Sequence, residues 1–170
     1  SLADLYDEME NSENNLTEEI IAELNDIESL KDQLENTELK MLKSDEMNWD
    51  EKQSLKSSID QSKKEIEKLE KIAEAIESIT EQAEKHKLLS PKMLEKFKEL
   101  SRLVNEIMPK DMMNNIDDLE MALENMDMDS IQDALNQLSE DMEKIEKDLD
   151  RYLEIFKRFQ AEQKLDEIQN

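Results

Sequence analysis

The sequence predicts an all-α chain: an elongated antiparallel helical bundle or coiled coil of about five helices, three long and two short. Three observations lead there. The 170 residues contain no Gly and only two Pro, Pro91 and Pro109, whereas sheets and tight turns draw on Gly for positive φ. Charged residues make up 40% of the chain and aromatics 4%, a balance that suits long helices joined by narrow seams. Apolar residues recur at alternating spacings of three and four, the heptad signature.

Residues 1–47 read as a long N-terminal helix and a turn. Leu16, Ile20, Leu24, Ile27, Leu30 and Leu34 form its seam. The preceding "ENSENN", residues 10–15, has no apolar member, so the helix is expected to fray there or to restart at Asn15 or Thr17. "SDEMN", residues 44–48, suits a turn. Asn48 with Glu51 makes a capping box for the next helix.

Residues 48–89 carry the second long helix. Its seam runs Leu55, Ile59, Ser62, Ile66, Leu69, Ala73, Ile76, Thr80 and Ala83. The small members permit close helix approach, or face a bundle of more than two helices.

Residues 90–127 read as a short helical hairpin. Ser90 is an N-cap, Pro91 sits at N1, and Leu89 and Leu94 occupy the staple positions. The third helix has the seam Leu94, Phe97, Ser101, Val104 and Met108, and Pro109 ends it. The fourth carries Met112, Ile116, Leu119, Leu123 and Met126. "NMDMDSIQ", residues 125–132, reads as the reversal into the last helix, with Asp127 as N-cap and Met126 and Ile131 as its staple. A calcium loop starting at Asp127 would need Gly at its sixth position and Glu at its twelfth; here these are Gln132 and Leu138.

Residues 128–170 form the last long helix, with the seam Ile131, Leu135, Leu138, Met142, Ile145, Leu149, Tyr152, Phe156 and Phe159. At about 1.5 Å per residue, helices two and five span about 57–60 Å, and three and four about 25 Å each. The hairpin is therefore expected to thicken one end of a single elongated domain. Position 1 is Ser, and "AEQKLDEIQN" stops without a capping signal. The chain is accordingly read as a fragment of a larger protein, with any signal or anchor outside it.

The net charge of −24 argues against nucleic acid, whose binding rests on cations neutralising phosphates. It also disfavours anionic membrane surfaces. No apolar run approaches the roughly 20 residues of a membrane span, so no direct membrane insertion is expected. Residues 1–30 and 111–143 contain neither Lys nor Arg. The proposed packing places both acidic blocks at one end, partly offset by Lys92, Lys96, Lys98 and Arg102.

No catalytic, cofactor-binding or metal-binding residue is assigned, and the chain is read as a non-enzyme. His86 is the only histidine and suits a helix C-terminus as a cation. The partner-binding candidates are Trp49, Met112, Met113, Met121, Tyr152, Phe156 and Phe159. Trp49, the only tryptophan, reads first as a cover for the end of a bundle and alternatively as a binding hot spot. The methionines read first as gap-filling core and alternatively as a pliable groove for a partner helix. The aromatics of "RYLEIFKRF", residues 151–159, fall on the last seam with cations at its flanks. The partner expected is a protein, basic or helical, with a homo-oligomer also open.

Three stretches carry a resemblance: "MNWDEKQSLKSSIDQSKKEIEKLE", "LLSPKMLEKFKELSRLVNEIMPKDM" and "LENMDMDSIQDALNQLSEDMEKIEKDLDRYLEIFKRFQAEQKLDEI". Together they resemble a segment of large bacterial membrane-anchored proteins with long charged helical regions outside the bilayer. The motifs concerned are Trp49 to Lys52, Leu88 to Pro91 and Glu162 to Asp166, in that order. Met128 stands where those segments often have Pro. The resemblance covers roughly residues 45–170 and implies no catalytic residues. It implies an anchor outside the chain and a cell-envelope setting, on the periplasmic or cytoplasmic side.

Overall fold

The computed structural model describes residues 1–169, with side chains up to residue 167; the predicted end of the last helix at Asn170 lies outside them. Among these residues the chain forms α1 (Leu2–Met41), α2 (Trp49–Lys85), α3 (Pro91–Val104), α4 (Met112–Glu124) and α5 (Met128–Gln169), with no strand. None of these helices is long and apolar enough to cross a membrane.

The expected break in α1 does not occur. Met9 and Glu13 carry the seam backward from Leu16 and Ile20 at spacings of four, three and four, and both are buried. A carboxyl thus occupies an apolar position, and the polar patch remains helical because its one inward residue is held. Farther along, Glu23 is buried while Leu24 is half-exposed, so the seam passes through the acid rather than the leucine.

In α2 the predicted seam is buried except for the half-exposed Ala73. A second row, Ser58, Glu65, Ile72 and Ile79, is buried beside it. Two rows give the wide stripe of a helix with several neighbours. In α3 the expected seam holds at Phe97 and Val104, and its other members are replaced by their preceding neighbours. Met93, Phe97, Leu100, Val104 and Ile107 are buried, and Leu94, Ser101 and Met108 are half-exposed. Both readings follow a four–three alternation; the observed one carries more apolar surface inward.

Contacts divide the chain into two compact units. Unit 1 contains Ser1–Leu24, Lys68–Ile107 and the chain from Asp148 onward; unit 2 contains Asn25–Glu67 and Met108–Lys147. Each unit is a four-helix packing of three long-helix segments and one short helix. The hairpin expected of residues 90–127 is thereby divided. The buried face of α3 is taken by α5 in unit 1, where Phe97 meets Phe156. The buried face of α4 is taken within unit 2, through Ile116, Leu119 and Leu123. The acidic blocks are divided between the units too. Residues 1–24 belong to unit 1 and residues 111–143 to unit 2. The α3 cations serve unit 1: Lys98 bonds Glu84 at 3.2 Å, Lys96 bonds Glu162, and Arg102 bonds Glu99 and Glu106.

Helix ends follow local chemistry. Asn48 accepts from the Glu51 N–H at 2.8 Å, the N-cap bond of the expected capping box, and its side-chain amide donates to the Glu51 carboxylate at 3.0 Å. Ser90 accepts from the Met93 N–H at 3.3 Å. The C-termini of α2 and α4 both close with a left-handed residue, Lys87 (φ 54°) and Met126 (φ 53°). At each, the following N–H reaches back to a carbonyl: Leu88 to Ala83 at 2.9 Å, and Asp127 to Ala122 at 3.2 Å. This is the Schellman closure, normally made with Gly. A chain without Gly makes it with Lys and Met.

Candidate functional site

Unit 2 presents the most unusual surface. Its α1 and α5 segments run antiparallel: Lys31 pairs with Glu146 at 3.3 Å, and the Ser139 hydroxyl donates to Glu38 at 2.6 Å. The C-terminus of α1 and the N-terminus of α5 therefore share one end of the unit. The α1–α2 connection, residues 42–48, and the α4–α5 turn, residues 125–127, join them there.

Large apolar side chains face solvent at this end. Leu42 is 74% exposed, Trp49 72% and Met121 63%, with Leu39 and Met126 also exposed; Met113, exposed too, lies in the first turn of α4, away from this end. Trp49 therefore does not cover the bundle. It lies seven residues before Lys56 and fourteen before Lys63, on the outer stripe of α2 and off the buried rows. Lys63 reaches α4 on that stripe, bonding Glu120 at 2.5 Å.

Beside this end lies a groove of about 430 Å³ between α4 and α5. Small side chains, Ala122 on α4 and Ala134 on α5, leave a furrow where larger ones would interlock. Asp118, Met121 and Asn125 line one side, and Ser130, Asp133 and Gln137 the other. Asn115 donates to the buried Asp141 at 2.7 Å and Gln137 does so at 3.2 Å, closing the groove at one end. Asp127 lies at the other end. Its carboxylate accepts the Ser130 hydroxyl at 2.8 Å and the Ser130 N–H at 3.3 Å. Those bonds favour the ionised form and hold its pKa below the usual carboxylate value. Both of its oxygens are thus engaged as a cap.

Compared with known protein families, curated proteins and solved structures, the chain matches none.

The other predicted partner residues sort by burial. Met112 is a core residue of unit 2. Tyr152 and Phe156 are core residues of unit 1, because that half of the α5 seam faces α3. The Phe156 and Phe97 rings meet edge-to-face at 6.3 Å, and the Tyr152 hydroxyl donates to the Leu100 carbonyl at 3.1 Å. Burial raises that phenol above its ordinary range. None of these three side chains can meet a partner while its unit is folded. Phe159 is half-exposed and lies under the Lys96 ammonium, 5.3 Å from the ring centroid. Trp49, Met113 and Met121 remain accessible.

Unit 1 has its own cleft, about 590 Å³, between Tyr6, the Lys87–Pro91 turn and Asp166–Glu167. His86 borders a smaller space of about 90 Å³ among Met9, Ile79 and Leu88. Sequence reasoning missed the inward carboxyl of Glu13, although the signal was present: its spacing from Leu16 and Ile20 continues the seam.

Proposed function

We propose that the chain is a non-catalytic interaction module, a scaffold or docking surface that meets a protein partner through the end of unit 2. One observation carries this reading: Leu42, Trp49 and Met121 stand exposed at one end of an otherwise strongly charged molecule. Isolated surface apolar residues are ordinary, but Trp and Met grouped at a helical end match the composition of binding hot spots and adaptable grooves. Interface affinity concentrates in such aromatic anchors, and surrounding charge then selects the partner. A setting within a larger envelope-associated protein rests only on the resemblance carried by Trp49 to Lys52, Leu88 to Pro91 and Glu162 to Asp166.

The test is site-specific photo-crosslinking of the full parent chain in its native cells. A photoreactive residue is placed at Trp49 and, as a control on the same helix, at the exposed Glu70. Adducts of defined mass from position 49 and none from position 70 are expected. The same adducts from both positions, or none from either, would overturn the reading.

A further inference from the structure

The α4–α5 hairpin leaves one helical face unpartnered. Asn115, Asp118, Ala122 and Asn125 follow spacings of three, four and three on α4; Ser130, Ala134 and Gln137 follow four and three on α5. These are the spacings by which a helix offers a seam to a neighbour. Along α4 the face, from Asn115 to Asn125, is about 15 Å long, just under three turns.

The charge of this face says what kind of neighbour fits. On the other side of α4, Glu120 already meets a cation, Lys63 of α2. The groove side has no such helix. Asp118 and Asp133 are exposed, and residues 111–143 supply neither Lys nor Arg. The packing of α2 on α4 shows the solution this acidic helix uses within its own unit: an amphipathic helix bearing lysines. Nucleic acid and anionic lipid carry the wrong sign for this face.

We propose that the groove between α4 and α5 seats a basic amphipathic helix of a partner protein. An apolar side chain of that helix rests on the exposed Met121 and the half-exposed Ala134, and its flanking Lys or Arg residues meet Asp118 and Asp133. This rests on the docking reading above and adds to it the site and the chemical class of the partner. The Trp49 adducts test that reading separately: they persist whether or not the groove takes a basic helix.

The experiment uses the full chain and a synthetic helical peptide of Leu and Lys arranged with one apolar face, titrated by calorimetry. A peptide of the same composition in scrambled order serves as control. Saturable one-to-one binding is expected for the amphipathic peptide. It should weaken about tenfold or more in the double variant Asp118→Asn, Asp133→Asn, and likewise when salt rises from about 0.05 to 0.5 M. The variant Met121→Ser should weaken binding without removing the salt dependence. The variant Asp118→Glu, Asp133→Glu should retain binding, and circular dichroism should show every variant equally helical. Equal binding of the scrambled peptide would overturn the proposal, because attraction to a polyanion would then be enough. Equal binding by the Asn double variant would overturn it too, as would self-association of the chain that the same substitutions abolish.

Discussion

The Glu13 carboxyl lies against the Gln163 carboxamide in unit 1, and both side chains are sealed from solvent between α1 and α5. Burial pushes the acid up to about 8; Glu167 and Glu10 push the same way, while the Gln163 hydrogen bond and Lys164 oppose. The neutral form also suits the surroundings. One Glu13 oxygen and the Gln163 carbonyl oxygen have no hydrogen-bond partner, and a protonated carboxyl supplies a donor. Unfolded, the acid titrates near its ordinary 4.5. Stability from this group is therefore complete below about 4.5, falls as pH rises toward about 8, and then levels off. Glu13→Gln should remove this fall. Against the wild type, its advantage in unfolding free energy should grow between about pH 5 and 8, reaching a few kcal/mol, and the melting temperatures should diverge in parallel. Parallel pH profiles for the two proteins would sink the idea.

Asp127→Ala removes the cap of α5. The expected cost is about 1 kcal/mol by denaturant unfolding. Because both carboxylate oxygens are held by Ser130, the loss should be the same with and without added calcium. A calcium-dependent loss would show that the cap reading omits a metal role.

Met126→Gly and Lys87→Gly should each stabilise the chain. Both residues sit in the left-handed region, where a side chain with Cβ costs about 1–2 kcal/mol and Gly costs almost nothing. A gain of about 1 kcal/mol is expected at each site. A neutral or destabilising result at both would mean that the two closures carry no backbone strain.

Phe156→Ala should cost about 3–5 kcal/mol as a core cavity against Phe97. Trp49→Ala should stay within about 0.5 kcal/mol, as for a solvated surface residue. Comparable losses at the two sites would contradict the assignment of one to the core and the other to the surface.

The order and type of the helices were legible because heptad spacing, Ser90–Pro91, the Asn48–Glu51 box and Asp127 are local signals. The partition into two units was not, because it depends on which long-helix segment takes the buried face of each short helix. The turned seam of α3 arose where Met93 and Leu94 both fit an alternation with Phe97 and Val104, and only tertiary packing chose between them. Trp49 was partly readable: its distance from Lys56 and Lys63 puts it off the seam, a clue that its size obscured. Glu13 escaped because a carboxyl in a core position breaks the polar–apolar pattern from which cores are read.

Both units close through α1 and α5, and those contacts are far apart in the chain. Lys31 and Glu146 are separated by 115 residues, and Met9 and Gln163 by 154. A ribosome synthesises α1 first and α5 last. The contacts between these two helices therefore form only once α5 has followed α1 out, and contacts of such separation form slowly. The lack of any Lys or Arg in α1 through residue 30 has a further consequence during that interval. Like-charged nascent helices repel one another, so neighbouring chains on a polysome are kept apart until α5 emerges. Stalled chains released before Met128 should accordingly show α1 open to protease yet remain soluble, and aggregation of those chains would refute this role for the charge.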